Sequence, residues 1–490
     1  MKKLLILIFP LLLQITLFSQ VTYTQGPKLN TARTSASGTK LNDGRILIAG
    51  GHGIGFLKLN SAEIWSPGTN TFQQYTMNDY RDFAGVVKLS NGRVMLIGGM
   101  SGDLGVGQLS SMEVFNPADN SFTSVCNLGF GARTMANGTE LTSGKVLIAG
   151  CWWDANTALY GDIYDPVSNT CIATGQLTTA RANPFLLPMN DGTALLMGGV
   201  NPYSGPTFES VELYDPSTNQ FSLFQETFIP GETLWVPSYG RADEAATIRM
   251  KNGKYLMLAG KSSNDVGYYS LVTIDPATKS IALLHTSPEI PNYNVYTGDS
   301  VGVYSILLDT AKDYCYLICV KSTSAPYYET SFKVVDLKTN TLFSLNDHFV
   351  IPYGCWDIPR YVLNDSRIFF VGGSTSNNFD CLDSTFFYTV QVPTGVNDKN
   401  NLPNGYSLSQ NYPNPFNPST KIKFTLPGNE FVSLKVYDVV GREVSTIINE
   451  QKVAGNYEIT FNASSLSSGV YFYKLSTKSY SESRKMILIK

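Results

Sequence analysis

At 490 residues the chain is too long for one ordinary hydrophobic core, so a repeat array or several domains is expected. Charged residues are only 15% and aromatics 12%, with 42 glycines and 24 prolines, a β-rich, turn-rich profile that excludes long disorder and coiled coil. A net charge of −3 gives no electrostatic basis for binding nucleic acid or an acidic membrane.

The first twenty residues, MKKLLILIFPLLLQITLFSQ, place Lys2 and Lys3 before an apolar run ending in Ser19–Gln20. This is the pattern of a secretory signal peptide over residues 1–19, too short and too abruptly ended for a membrane span. No later segment is apolar over the roughly 18 residues that a spanning helix requires. Seven cysteines, an odd number, show no CxxC metal spacing. Cys151–Cys171 and Cys355–Cys381 could each pair within a repeat, with buried free thiols the favoured state.

From residue 41 a pattern recurs. LNDGRILIAGG (41–51) returns as LSNGRVMLIGG (89–99), LTSGKVLIAGC (141–151) and MNDGTALLMGG (189–199), then more loosely as MKNGKYLMLAGK (250–261) and LNDSRIFFVGG (363–373). A continuous apolar run of this kind is what a strand buried on both faces requires. Behind each of the first four copies comes a second signature: SAEIWSPGTNTF (61–72), SMEVFNPADNSF (111–122), GDIYDPVSNTC (161–171) and SVELYDPSTNQF (210–221). Its apolar residues, such as Trp65 and Phe72, stand seven apart around a turn of the D-P-x-T-N type, which reads as a hairpin. Arg33, Arg81, Arg133 and Arg181 each precede the first glycine of their unit by 17 residues, with another short strand between. Each unit is thus four strands, here a to d.

The glycine pair after an apolar run, followed by aromatics seven apart at a period near 50, resembles the kelch repeat. The resemblance spans about residues 21–390 and implies an all-β, seven-bladed kelch-type β-propeller over 20–392, one four-stranded blade per repeat. The usual strand-d tryptophan is absent throughout, and a sixth unit, YSILLDTAKDYCYLICV (304–320), lacks the glycine pair, which makes LNDSRIFFVGG the seventh. The seventh unit has no strand d of its own. Residues 21–24 stand at the right distance before Arg33 to supply it and close the last blade.

Residues 393–406 are polar and turn-rich, a linker. Residues 407–490 alternate apolar and polar over several strands, the pattern of a small Ig-like β-sandwich. Within them NYPNPFNP, VYDVVGREV, LSSGVYFYKL and KMILIK occur in order and resemble the type A sorting domain of the type IX secretion system. That resemblance implies handling by the type IX machinery and passage through the periplasm to a secreted or outer-membrane-surface location. It places the sorting signal at Gly469, Tyr471, Lys485, Met486 and Lys490.

In such a repeat the a–b and c–d turns are short, whereas the b–c and d–a loops vary and emerge together at one end. Variable loops on a rigid scaffold are where binding usually sits. Trp152, Trp153, Tyr203, Trp235, Tyr239 and Trp356 fall in these loops and suit stacking on sugar rings or anchoring a protein. The four arginines could hold an anion there, although tying a loop carbonyl to the next blade is the favoured role. Some kelch propellers resemble galactose oxidase, which needs a copper site of two His and two Tyr. Here His52, His285 and His348 are scattered, and none stands beside a tyrosine. The sequence therefore favours a monomeric, cofactor-free binding or adhesion module for a glycan or protein. The alternative is a carbohydrate-active or galactose-oxidase-like enzyme. Deleting Ser483–Lys490 should leave the protein in the periplasm, measured by fractionation; normal secretion of the truncated chain would refute the sorting assignment.

Overall fold

The computed structural model describes residues 21–489 except 103–106, 153, 202–208, 229–233, 236–246, 264–265, 292–300, 323–327, 340, 352–358, 374–380, 393–404, 427–429 and 453–454. The chain is all-β and divides into two compact units between Val392 and Pro393. Residues 1–19 and Lys490 lie outside the described residues, as does most of 393–406.

Among the described residues, the first unit contains six four-stranded sheets and one five-stranded sheet, all antiparallel, with a small two-stranded pair of Met100–Ser101 and Gly107–Gln108 beside them. The first sheet sets the pattern: Ser37–Lys40, Ile46–Ala49, Ser61–Ser66 and Thr71–Thr76 pair in chain order. The fifth sheet adds Leu234–Trp235 to Thr247–Arg249 along the same edge. The seventh joins Arg360–Val362, Ile368–Val371 and Thr385–Val390 to Val21–Gln25, with Val21 opposite Val390. The turns follow from composition. In the c–d hairpins Asn70, Asn120, Asn169 and Asn219 each take a left-handed φ between 52° and 58°, which asparagine tolerates best among residues with a Cβ. The side chains of Asn70 and Asn219 then accept hydrogen bonds from Trp65 Nε1 and the Tyr214 hydroxyl.

Alternation along the second strand explains why it is apolar throughout. Leu47 and Ala49 pack with Leu96 and Phe115 of the second sheet. Ile46 and Ile48, pointing the other way, pack with Phe369 and Phe387 of the seventh. The same two-sided burial links the second sheet to the third, the third to the fourth, the fourth to the fifth, the fifth to the sixth and the sixth to the seventh. The succession of cores is therefore cyclic. Each sheet hides two faces, so no single sheet in this unit owns a core of its own.

Backbone hydrogen bonds repeat the cycle. The Gly51 N–H donates to the Arg81 carbonyl at 2.9 Å, Gly99 to Arg133 at 2.8 Å and Cys151 to Arg181 at 3.2 Å. Gly373 donates to Arg33 at 3.2 Å, joining the last sheet to the first. The glycine just before each donor is required by proximity: a Cβ on Gly50 would lie 2.2 Å from the Arg81 carbonyl oxygen, and one on Gly98 2.3 Å from that of Arg133.

The second unit pairs Ser407–Leu408, Ser419–Leu426 and Gly455–Asn462 in one sheet. The other orders Glu443–Lys452, Glu430–Tyr437, Gly469–Ser476 and Ser481–Leu488. Ile422, Phe424 and Leu426 from the first meet Val432, Leu434, Tyr473 and Met486 from the second in one core.

Three cysteines are the buried free thiols expected, and one pair departs from expectation. Cys171 is bonded not to Cys151 but to Cys126, which lies just after the outer strand of the second sheet. Cys151, Cys315 and Cys381 are buried thiols, and Cys355 lies outside the described residues. The partner was missed because Cys126 stands one repeat earlier, and adjacent outer strands bring it to Cys171 across 45 residues. In the chain-entropy view a loop of that length is worth about 4 kcal/mol. Replacing both cysteines with serine should therefore lower the melting temperature by several degrees; an unchanged melt would show that this crosslink contributes no stability.

Candidate functional site

The antiparallel order brings the b–c and d–a loops of the first unit to one end, and the four arginines stand where the d–a loops enter the sheets. All four side chains are buried, 0–1% exposed. Arg33 donates to the carbonyls of Gly50 (3.0 Å) and Ser61 (2.8 Å) and forms an ion pair with Glu63 at 2.7 Å. Arg81 does the same with Gly98 (2.7 Å) and Glu113 (2.7 Å). Arg133 reaches Gly150 (3.3 Å) and Asp162 (2.9 Å), and Arg181 reaches Gly198 (3.0 Å) and Glu212 (3.0 Å). The carbonyl that each arginine holds belongs to its own sheet. The expectation that it ties a loop to the next blade is corrected: the arginine's backbone oxygen makes the inter-sheet bond, as above.

Each carboxylate completes the unit. Glu63 accepts the backbone N–H groups of Asn30 (2.7 Å) and Thr31 (2.9 Å), pinning the chain that leads into Arg33. Glu113 takes those of Asn78 and Asp79, Asp162 those of Gly129 and Phe130, and Glu212 that of Thr178. Burial lowers the pKa of Arg33 and of Arg181, opposed by the adjacent carboxylate charge and its hydrogen bond. These acids were missed in the sequence. Their signal was present, as the S-x-E of SAEIW, SMEVF and SVELY and the aspartate of GDIY.

Two residues after each arginine the backbone steps into the left-handed region, at Ser35 (φ 58°), Phe83 (53°), Met135 (53°) and Asn183 (51°). The step turns the chain from loop into strand a and recurs at a cost that the buried ion pair helps to offset. Beside it lies a second polar group. The ring of His52 is buried, its Nδ1 2.8 Å from Asp82 Oδ2, and Lys58 Nζ donates to the same oxygen at 2.9 Å. Phe56 stacks on the imidazole with ring centres 5.2 Å apart. The Cys381 thiol donates to the His52 carbonyl at 3.1 Å. His52 is thus a packed, hydrogen-bonded residue and not an exposed loop polar group. His285 and His348 belong to strands Ile281–Pro291 and Thr341–Ile351, where their side chains are not described.

Of the aromatic candidates, Trp152 is half-buried, its backbone N–H donating to the Thr134 carbonyl at 3.1 Å. Trp235 is placed in a two-residue strand with its side chain not described. Trp153, Tyr203, Tyr239 and Trp356 lie outside the described residues. Other apolar side chains are presented at the loop end: Ile54, Leu57 and Tyr80 are 67%, 59% and 55% exposed. Phe130 stacks on Tyr160 with ring centres 3.7 Å apart.

In the second unit the sequence blocks of the tail converge on its last strand. Gly469–Ser476 pairs with Ser481–Leu488, and Met486 is fully buried while Lys485 is exposed. The Tyr471 hydroxyl donates to the Ser467 carbonyl at 2.8 Å. On the other edge, Phe416 N–H donates to Ile487 O and Ile489 N–H donates to Phe416 O, both at 3.0 Å. Asn414 Oδ1 accepts the Ile487 N–H at 2.9 Å, and buried Asn411 holds Pro413 and Thr420. The segment 411–418, with cis bonds before Pro413 and Pro415, therefore clasps the terminal strand.

Residues 410–490 match the family of secretion system C-terminal sorting domains. That tail marks the chain for type IX export, to the medium or the cell surface. No helix among the described residues is long and apolar enough to cross a membrane. No curated protein sequence matches the chain. Among solved structures it is similar to a fungal alcohol oxidase of catalytic diversity in the AA5 family, in complex with copper. The identity is 12%, covering 95% of this chain and 99% of that one, with a TM-score of 0.51. A likeness at that identity concerns the fold.

Removing one member of a buried pair strands the other charge. Arg81→Met or Glu113→Gln should each cost about 3–5 kcal/mol in denaturant unfolding. The double replacement Arg81→Met with Glu113→Leu should cost less than the sum; strict additivity would mean that the two side chains act independently.

Proposed function

We propose that the protein is an exported seven-bladed kelch-type propeller that acts as a binding or adhesion module for a glycan or protein, read through its loop end. In this reading residues 1–19 are a signal peptide, 20–392 the propeller, and 407–490 an Ig-like sorting domain behind the linker 393–406. The cyclic succession of cores and the oxidase-like fold support the propeller. The observation that carries the binding reading is a division of labour at the loop end. The described arginines, their carboxylates and the His52–Asp82–Lys58 group are engaged with one another. Ile54, Leu57, Tyr80 and the Phe130–Tyr160 stack are offered to solvent. Aromatic and aliphatic surface of this kind binds through apolar contact and ring stacking.

The second reading is an oxidase, favoured by the fold likeness to a copper-bound enzyme. The described residues do not fit a copper set. Among them no group of three or more His, Cys, Asp or Glu could hold a metal, and His52 Nδ1 is committed to Asp82. Glycan-array and pull-down measurements on the secreted protein test the first reading: Tyr80→Ala with Phe130→Ala should weaken the strongest hit at least tenfold. Binding unchanged in that double variant, or stoichiometric copper in the purified protein, would move the assignment to the oxidase or to another surface.

A further inference from the structure

The opposite end of the first unit carries a cavity that the loop-end reading does not use. It encloses about 490 Å³, within the range of small-molecule sites. Its walls come from the first strands of successive sheets, Ser37–Lys40, Gly85–Lys88, Asn137–Glu140, Phe185–Pro188 and Thr247–Arg249, and from the a–b turns that follow the first two. No sheet makes this cavity alone. It exists because the innermost strands converge.

Its charge is unbalanced. Lys88 Nζ donates to the Lys40 carbonyl at 3.1 Å, a neutral partner that leaves its charge uncompensated. The Arg249 guanidinium is exposed and lies 5.7 Å from the centre of the Tyr255 ring. Among the described residues no carboxylate pairs with either cation. The one carboxylate in the lining, Glu140, accepts both the N–H and the hydroxyl of Ser90 and pairs with neither cation. This contrasts with the loop end, where each arginine meets an acid.

The remaining lining alternates hydrogen-bonding and apolar groups. Asn42 and Thr139 supply amide and hydroxyl donors and acceptors, while Val87 and the Tyr255 ring supply apolar wall. From this arrangement we infer a binding site for a small polyhydroxylated carboxylate of the acidic-sugar class. Arg249 and Lys88 take the carboxylate, Arg249 with the planar fork that suits it. The hydroxyls meet Asn42 and Thr139, and the apolar face of the ring lies on Tyr255.

Titration calorimetry of the secreted protein with D-glucuronate, D-glucose and inorganic phosphate tests this. Glucuronate should bind saturably at one site, with glucose and phosphate each at least tenfold weaker. Arg249→Gln and Lys88→Gln, both at exposed positions, should each raise the glucuronate Kd at least fivefold without changing the melting temperature. If Arg249→Gln lowers the melt, Lys88→Gln decides alone. Tyr80→Ala should leave glucuronate binding intact, which separates this site from the loop end. The inference is overturned by no saturable glucuronate binding, by glucose or phosphate binding equally well, by insensitivity to Lys88→Gln, or by loss of binding in Tyr80→Ala.

Discussion

A buried guanidinium facing a buried carboxylate is the interaction on which the first four sheets depend. An arginine placed in a protein interior is costly unless its donors and its charge are both met. Here the carbonyl of the first glycine and that of the residue opening strand c take one edge of Arg33, Arg81 and Arg181, and an acid takes the other. The acid in turn holds the loop that delivers the arginine. Three segments distant in sequence are thereby locked at one point, and the arginine's backbone oxygen is left aimed at the preceding sheet. Glycine is needed there because that oxygen approaches within 2.2 Å of where a Cβ would stand.

This arrangement also explains why the loops beyond it can vary. The four arginines and their acids meet each other at the strand ends, so the b–c and d–a segments need not supply side chains to pair them. In the third sheet the helical turn Ala155–Ala158 replaces an extended loop, with Asp154 capping it through the Asn156 N–H. Arg133 adapts by donating to the Thr157 carbonyl in place of the usual strand-c carbonyl. The scaffold tolerates the change because the ion pair with Asp162 persists.

The export tail follows a different logic. Its terminal strand is an edge in sequence but not in space, since Phe416 bonds to it from the far side. The side chains of Asn411 and Asn414 are spent on the Pro413 carbonyl and the Ile487 N–H, so the ordered motif blocks belong to one folded surface. A sorting signal spread over some 80 residues of sequence is thus a single local structure.

The sequence by itself determined the β character, the four-strand rhythm and the export tail. These depend on alternation, on asparagine and proline in tight turns, and on motif order, all of which are properties of neighbouring residues. The arginines were visible because they recur 17 residues before a glycine, a spacing that is the same as the Arg33–Gly50 contact. Their acids lie 29 to 32 residues away and come into place only when strand c has paired. The same holds for Cys126 with Cys171 and for His52 with Asp82, where adjacent sheets bring together what the chain separates. Those pairings, and the cavity between the innermost strands, were decided by tertiary structure alone, because periodicity says which face a residue takes but not which residue waits on the next sheet.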